Sequence, residues 1–327
     1  MTLIAPSPRV QPEPGLPARV TVYEVGPRDG LQAESDIIPT SVKSELCRRL
    51  YAAGTRNLEL TSFVPPAWIP QLADAEDVVA SVDVPEGARA VALVPNLTGL
   101  RRAADAGIRE VAVVVSATES FAKANLNNTR AGAVDRAVEV ITAATADGIP
   151  VRGYVSMAFG DPWEGEVRVA AVTDAAAALH AAGARTIALG DTIGVATPGL
   201  TVRVVAETLA VGIPVEALAL HLHDTYGQSL ANVHAALRLG VAEFDSSVGG
   251  LGRCPYARGA TGNLATEDLV WMLHGLGIET GLDLDALAAT TEWLSRIRGV
   301  RAPSNVARAL AAAGIDTPDP VKEPSSA

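Results

Sequence analysis

Aromatic residues and cysteines are scarce in this sequence of 327 residues. Aromatic side chains make up 4% of the chain, against 48% for all hydrophobic residues, so a core has to be built mainly from Ala, Val, Leu and Ile. The two cysteines, Cys47 and Cys254, are too few for a disulfide framework, and such usage suits a reducing compartment. We therefore expect a cytoplasmic protein.

Positive charge and long apolar runs are also scarce. The chain has 26 Lys and Arg against 37 Asp and Glu, a net charge of −11, which excludes the basic surface that nucleic acid requires. No apolar run approaches the ~20 residues that span a bilayer, so we expect no membrane partner. Residues 1–18 are rich in proline and lack both a signal-peptide core and an Arg-rich amphipathic pattern. We expect a flexible N-terminal arm at 1–18, a single domain at 19–312 and a flexible tail at 313–327.

Short β-branched runs recur along the chain, and each is followed by a helical pattern. Most of these runs are continuously apolar, which is typical of strands buried on both faces of a parallel sheet. The predicted strands are 20–26, 57–63, 88–95, 110–117, 151–159, 186–192, 217–224 and 243–251.

Ala-rich amphipathic segments lie between the predicted strands, for example at 40–54, 133–148 and 166–183. About eight strand–helix units in a chain of this length predict a (β/α)₈ TIM barrel. An open doubly wound sheet is the alternative, but no G-x-G-x-x-G sequence follows the first strand. Residues 282–312 predict additional C-terminal helices, which cover the barrel mouth or form a subunit contact.

The unusual polar residues follow the C-terminal ends of the predicted strands, where such barrels carry their chemistry. The sequence GPRDGLQ follows the first strand, LGDTIG ends the sixth, and GGLGRCPYARGATGN follows the eighth. The candidates at this edge are Arg28, Asp29, Gln32, Glu59, Asp191, His221, His223, Cys254 and Asn263.

His221 and His223 stand two residues apart, so in a strand they share one face. Barrel closure places the first strand beside the eighth, with the seventh one step further. Asp29 and Asn263 should therefore approach the two histidines, and together they predict a metal site. Carboxylate, amide oxygen and imidazole ligands, with positions left for water or substrate, suit Mg²⁺ or Mn²⁺ better than structural zinc.

Each candidate has a structural alternative. Two histidines at this spacing are, taken alone, more often hydrogen-bonded polar residues than metal ligands. Glu59 is costly to bury unless it is paired or functional, and a salt bridge to Arg28 would satisfy it. Cys254 lies in a glycine-rich loop, whereas Cys47 lies in a helical pattern and is interpreted as a core residue.

The segments GPRDGLQ, LELTSFVPPAWIPQLAD, GYVSMAFGDPWEG, LGDTIGVATPG, HLHDTYGQSLANV and GLGRCPYARGATGNLATEDLVWML together resemble the hydroxymethylglutaryl-CoA lyase family. The resemblance runs in order from about residue 20 to 312. It implies a metal-dependent barrel enzyme that cleaves 3-hydroxy-3-methylglutaryl-CoA to acetyl-CoA and acetoacetate, in leucine breakdown. We also expect a homodimer.

The resemblance also implies roles for individual residues. The metal ligands would be Asp29, His221, His223 and Asn263, and the catalytic residues would be Arg28, Glu59, His221 and Cys254. Arg28 and Gln32 would contact the substrate. The general base stays open among Asp29, Glu59 and His221.

Two other enzymatic functions and one non-catalytic function are the alternatives at this point. The same barrel serves Claisen-type synthases, but those carry an acidic residue where this chain has Leu31, and they lack the Cys254–Pro255–Tyr256 sequence. A relative acting on a longer 3-hydroxy-3-alkylglutaryl-CoA is the other enzymatic alternative. A non-catalytic metal-binding barrel would not require a thiol in a glycine-rich loop.

Overall fold

Eight parallel strands form a closed barrel in which each strand pairs with its neighbours in sequence and the first strand pairs with the eighth. The structure is a computed structural model and describes residues 7–252 and 262–312. The predicted TIM barrel is confirmed, and all eight predicted strands are present. The strands are β1 Thr21–Glu24, β2 Asn57–Ser62, β3 Arg89–Leu93, β4 Glu110–Ser116, β5 Val151–Ser156, β6 Thr186–Asp191, β7 Leu218–Leu222 and β8 Glu243–Ser246.

Eleven α-helices occur in the described part of the chain, and most of them surround the barrel. The helices are α1 Thr40–Ala52, α2 Ala75–Ala80, α3 Leu97–Asp105, α4 Glu119–Leu126, α5 Arg130–Ala146, α6 Val169–Ala181, α7 Pro198–Ala210, α8 Ser229–Leu237, α9 Thr266–Gly275, α10 Leu284–Arg298 and α11 Asn305–Ala312. The three helices predicted from amphipathic segments correspond to α1, α5 and α6. The additional C-terminal helices are α10 and α11.

Several predicted strands end earlier than their apolar runs. The run at 151–159 leaves the sheet after Ser156, because Met157 adopts a left-handed backbone with φ 57°. The run at 243–251 leaves it after Ser246, because Gly249 and Gly250 turn the chain with φ 67° and 71°. Apolar character continues past each strand end because these turns are buried against the barrel rim.

Strand β7 shows how the alternation of side chains builds both sides of the barrel wall. Leu218, Leu220 and Leu222 belong to the large apolar layer between the strands and the helices. Ala219 belongs to the smaller cluster inside the barrel, and His221 follows it on the same face. The strand therefore directs one histidine into the barrel while leucines anchor its other face.

The C-terminal helices support the turn that follows β8. A Cβ on Gly249 would lie 3.0 Å from Cγ2 of Thr291 in α10, so the helix packs directly against this turn. Asp268 in α9 accepts hydrogen bonds from the hydroxyl of Ser304 and from the N–H groups of Asn305 and Val306, which fixes the start of α11.

Part of the predicted N-terminal arm contacts the barrel. The N–H of Gln11 donates to the carbonyl of Gly275 at 2.7 Å, and the N–H of Glu279 donates to the carbonyl of Ala18 at 3.0 Å. Within the described residues, no helix is both long and apolar enough to cross a bilayer.

Candidate metal centre

Three of the predicted ligands meet at the C-terminal end of the barrel. One ligand atom from each of Asp29, His221 and His223 can be chosen so that all three lie within 4.8 Å of one another. Asp29 lies in a π-helical turn, Gly26–Gly30, directly after β1, and the histidines lie at the end of β7. The pairing of β8 with both β1 and β7 explains why residues far apart in sequence converge here.

Asn263 completes this group. Its side-chain Nδ2 donates to Oδ2 of Asp29 at 2.8 Å and to the carbonyl of Leu251 at 3.0 Å. Its Oδ1 is buried and has no hydrogen-bond partner within residues 7–252 and 262–312. A buried carbonyl oxygen without a partner is costly unless something binds it, and a cation beside Asp29 would do so.

The carboxyl of Asp29 is held in its ionised form. Oδ1 accepts a hydrogen bond from Arg28 at 2.6 Å. Burial alone would raise the pKa of Asp29, but the charges of Arg28, His221 and His223 and the hydrogen bond from Asn263 hold it well below the usual range. Asp29 is therefore anionic at neutral pH, as a metal ligand must be.

His221 is oriented by a residue that the sequence analysis missed. Its Nδ1 lies 3.0 Å from Oδ2 of Asp245 in β8, which leaves Nε2 as the nitrogen that can ligate. The other oxygen of Asp245 accepts from the guanidinium of Arg152 in β5. Burial lowers the pKa of His221, but the hydrogen bond and charge of Asp245 outweigh this and raise it overall.

A sequence pattern could have identified this support. Arg152, Glu243 and Asp245 are charged residues inside otherwise apolar strand patterns, and all three are partly or fully buried. Glu243 and Asp245 stand two residues apart, so they share the inner face of β8. The pairing with Arg152 crosses the barrel interior, and local sequence does not reveal such a contact.

His223 stands just beyond β7, in a bridge with Asn263. It is 4% exposed, and its ring centroid lies 5.3 Å from that of His221. Its backbone N–H donates to the carbonyl of Asp191 at 3.3 Å. Asp191 itself turns its carboxylate to the N–H groups of Val195 and Ala196, and burial raises its pKa to about 6. Asp191 therefore shapes the loop after β6.

The donor set fits a divalent cation. One carboxylate, two imidazoles and one amide oxygen form a mixed nitrogen and oxygen donor set that suits a divalent cation with positions left for water or substrate. A carboxylate on the second nitrogen of a ligating histidine, as Asp245 provides for His221, is the usual arrangement around bound metals.

Arg28 and Glu59 form a buried pair beside the candidate ligands. Arg28 donates to Oε2 of Glu59 at 3.1 Å, and the hydroxyl of Tyr154 donates to the same oxygen at 3.0 Å. Burial lowers the pKa of Arg28, but the charges of Glu59 and Asp29 outweigh it and raise the pKa above its ordinary value. Glu59 is fully buried, and Arg28 compensates its negative charge. This is the salt bridge given above as the structural alternative for Glu59.

A cavity of about 890 Å³ opens onto these residues. Its size lies in the range of pockets that bind small molecules and cofactors. The inner end is lined by Arg28, Asp29, Gln32, Tyr154, His221 and His223, whereas Glu59 does not line it. Lys123 and Arg136 line another part of the wall. The cavity thus extends from the candidate ligands to a wall that carries two basic side chains.

Cys254 lies outside the described residues. Gly252, two residues before it, has φ 117°, and a Cβ there would lie 2.6 Å from Nδ2 of Asn263. Gly262 is equally confined, since a Cβ there would lie 2.1 Å from the carbonyl oxygen of Gly250. Gly252 therefore lies against the candidate ligand Asn263, and Gly262 lies against the backbone of the turn after β8.

Comparison with known proteins gives consistent results. A family profile described as HMGL-like matches residues 19–294. A mitochondrial hydroxymethylglutaryl-CoA lyase of Arabidopsis thaliana is 49% identical over 90% of this chain, and the match spans 63% of that longer protein. A cytoplasmic 3-hydroxy-3-methylglutaryl-CoA lyase of Mus musculus is 47% identical over 90% of this chain and 86% of its own length.

A solved structure shares this fold closely. An HMG-CoA lyase from Acinetobacter baumannii, in complex with coenzyme A and 3-methylmalate, superposes with a TM-score of 0.85 at 38% identity. The match covers 89% of this chain and 95% of that one.

Proposed function

The chain belongs to the HMGL-like family, and on that premise we propose that it cleaves 3-hydroxy-3-methylglutaryl-CoA to acetyl-CoA and acetoacetate with one divalent cation. The observation that carries this proposal is the convergence of Asp29, His221 and His223 within 4.8 Å at the inner end of the cavity. The names of the curated relatives support the same carbon–carbon lyase activity.

The substrate is an acyl-CoA, and the cavity is large enough for its reacting acyl group. One relative was solved with coenzyme A, which supports this choice. We propose that Arg28 and Gln32 contact the acyl group because both line the cavity beside the candidate ligands.

The cation would be held by Asp29, His221, His223 and Asn263. When bound, it acidifies the tertiary hydroxyl of the substrate and fixes the orientation of the acyl group. Mg²⁺ or Mn²⁺ suits this donor set.

The reaction is a retro-Claisen cleavage. The hydroxyl loses its proton, its oxygen becomes the ketone carbonyl of acetoacetate, and the electrons of the C2–C3 bond pass to the thioester as an enolate. The enolate carbon then takes up a proton to give acetyl-CoA. Two proton transfers and one stabilised anion are therefore required of the protein.

We propose Asp29 as the group that accepts the hydroxyl proton. His221 has Nδ1 engaged with Asp245, and its Nε2 would be a cation ligand, so neither nitrogen is available. Glu59 does not line the cavity, and both its described contacts, from Arg28 and Tyr154, go to Oε2. The carboxylate of Asp29 lines the cavity and is ionised.

Arg28 stabilises the negative charge that develops on the thioester oxygen. Its guanidinium is fixed by Asp29 on one side and Glu59 on the other, so it need not reorganise during the reaction. In this proposal Glu59 is a positioning residue for Arg28. Cys254 delivers the proton to the enolate carbon, and the position of Gly252 against Asn263 supports this.

Two further properties belong to the proposal. We propose a cytoplasmic location, which the low cysteine content and the mouse relative support. We also propose a homodimer, since Ile297 and Val300 near the end of α10 are 45% and 44% exposed. Light scattering on the purified chain tests the dimer: a single species of twice the chain mass is expected, and a monomer contradicts it.

The activity is tested by measuring acetoacetate release from 3-hydroxy-3-methylglutaryl-CoA. Chelation should abolish release, and Mg²⁺ or Mn²⁺ should restore it. A panel of 3-hydroxy-3-alkylglutaryl-CoA substrates of increasing chain length should show the highest kcat/KM for the methyl compound. Full activity after exhaustive chelation, or no product from any member of the panel, would overturn the proposal.

A further inference from the structure

A neutral imidazole can ligate a metal through Nε2 only in one of its two tautomers. The proton must sit on Nδ1, because a protonated Nε2 has no lone pair to donate. Whatever faces Nδ1 of His221 therefore decides whether Nε2 is available at the proposed cation site.

Asp245 faces this nitrogen. Its Oδ2 lies 3.0 Å from Nδ1 of His221, and Asp245 is 1% exposed. An ionised carboxylate can only accept hydrogen bonds, so Nδ1 must carry the proton and donate. Because this hydrogen bond is deeply buried, water does not compete with Asp245 for Nδ1.

The second oxygen of Asp245 is held by Arg152. This guanidinium is 2% exposed and also contacts Glu243. Its Cζ lies 4.2 Å from the centroid of the Tyr23 ring and 5.2 Å from that of Tyr154, so the barrel interior encloses it. Residue 245 can therefore present only one of its two terminal atoms to the histidine.

From this arrangement we propose that Asp245 is a positioning residue that fixes the Nδ1-protonated tautomer of His221, with Arg152 determining which atom of residue 245 faces the ring. The inference rests on the proposed cation site. It assigns β8, which lies between the ligand-bearing strands β1 and β7, and β5 across the barrel interior a role in cation affinity.

An isosteric substitution tests this inference directly. A guanidinium has only donors, so in Asp245→Asn the amide oxygen must face Arg152. The amide NH₂ group then faces Nδ1 of His221 and requires it to accept. The proton moves to Nε2, and the lone pair needed for the cation is lost. In a serine protease triad, the same Asp→Asn change locks histidine in the wrong tautomer.

The first test is Mn²⁺ binding by the full chain without substrate, followed by electron paramagnetic resonance. Asp245→Asn should weaken binding about 10–100-fold, the usual effect of losing such a partner. Glu243→Gln is the matched control, since it removes the other acidic contact of Arg152 without touching His221, and its affinity should be unchanged. Equal loss in both variants would indicate a merely structural role and overturn the inference.

A second measurement reads the tautomer in the wild-type chain itself. At alkaline pH, where the imidazole is neutral, the ring ¹⁵N resonances of His221 in the metal-free chain should show a protonated Nδ1 and a bare Nε2, and the missing signals in His221→Asn assign them. A neutral ring with its proton on Nε2 would overturn the inference.

The two proposals fail separately. If Asp245→Asn binds Mn²⁺ like the wild type while His223→Ala does not, the tautomer inference fails and the cation site stands. If His223→Ala also binds normally, the cation site itself is wrong.

Discussion

Asp29 has two roles in this account, and a substitution can separate them. It ligates the cation and accepts the hydroxyl proton, and its ionised state depends on Arg28 and the two histidines. The amide oxygen of an asparagine can still ligate, but an amide cannot accept the proton.

Asp29→Asn should therefore lose about 10²–10⁴-fold in kcat, the usual contribution of a general base. Saturating Mn²⁺ should not restore the rate, because the loss is in proton transfer. Steady-state kinetics across a Mn²⁺ series provide the measurement. Recovery of wild-type kcat at high Mn²⁺ would show that Asp29 acts only as a ligand.

Glu59 acts through Arg28, so its substitution should affect catalysis without affecting the cation. In Glu59→Gln, Arg28 keeps its ion pair with Asp29 but loses its ion pair with residue 59, whose carboxylate lies 3.1 Å away in the wild type. We expect kcat/KM to fall by about 10–100-fold through loss of a preorganised charge. Mn²⁺ affinity should stay at the wild-type value.

Glu110→Gln is the matched control for Glu59→Gln. Glu110 pairs with Arg89 at the opposite end of the barrel strands, 2.9 Å away, and neither residue lines the large cavity. Its kinetics should match the wild type. A lower Mn²⁺ affinity in Glu59→Gln would indicate that Glu59 supports the ligands instead of Arg28.

At the scale of elements, the segment between the turn after β8 and helix α9 carries both Asn263 and Cys254. Asn263 lies within the described structure and contacts Asp29. Cys254→Ala should keep Mn²⁺ affinity but lose about 10²–10⁴-fold in turnover, as expected for a general acid.

The chain provides a control cysteine for this prediction. Cys47 in α1 is fully buried in the layer between strands and helices, and burial raises the pKa of its thiol well above the ordinary value. Cys47→Ala should leave kcat unchanged. Full activity of Cys254→Ala would remove the thiol from the mechanism.

The strands also show how much of the fold can be predicted from the sequence. Eight apolar runs predicted eight strands, because parallel strands buried on both faces leave a strong local pattern. Strand ends were less accurate, since turns such as that at Met157 depend on φ 57° in a residue that rarely adopts it.

The candidate metal centre was predictable from Asp29, His221, His223 and Asn263 because barrel closure is a global rule that brings strand ends together. The Asp245–Arg152 pair was not, because it joins β8 to β5 across the interior. Such contacts depend on which side chains fill the barrel, and local periodicity does not encode this. Tyr154 was missed for the same reason.

At the scale of the whole molecule, Glu24 at the end of β1 connects the turn after β1 with the turn after β8 and with helix α9. Oε1 accepts from the N–H groups of Gly26, at 2.8 Å, and of Val248, at 2.9 Å, and Oε2 accepts from the hydroxyl of Thr266. Burial raises the pKa of Glu24 from its ordinary 4.5 to about 7, although these hydrogen bonds oppose the shift.

This pKa predicts a pH dependence of stability. A carboxyl with a raised pKa in the folded state stabilises the fold at low pH, and this contribution is lost as pH rises from about 4.5 to 7. This loss lowers the free energy of unfolding by at most about 3 kcal/mol. Glu24→Gln keeps acceptor and donor atoms in place and should remove this part of the slope.

Urea unfolding of wild type and Glu24→Gln at several pH values between 4.5 and 8 measures the effect. The difference in unfolding free energy between the two chains should change in favour of the variant as pH rises. A constant difference across this range would mean that Glu24 has the same pKa in both states.

The central claim is that one divalent cation is bound by the side chains of Asp29, His221, His223 and Asn263. Anomalous scattering from a Mn²⁺-soaked crystal of the full chain tests it most directly. The account predicts a single strong peak in contact with a carboxylate oxygen of Asp29, a ring nitrogen of each histidine and Oδ1 of Asn263, at about 2.0–2.4 Å. A peak elsewhere, or both imidazoles turned away from Asp29 with no ion between them, would contradict it.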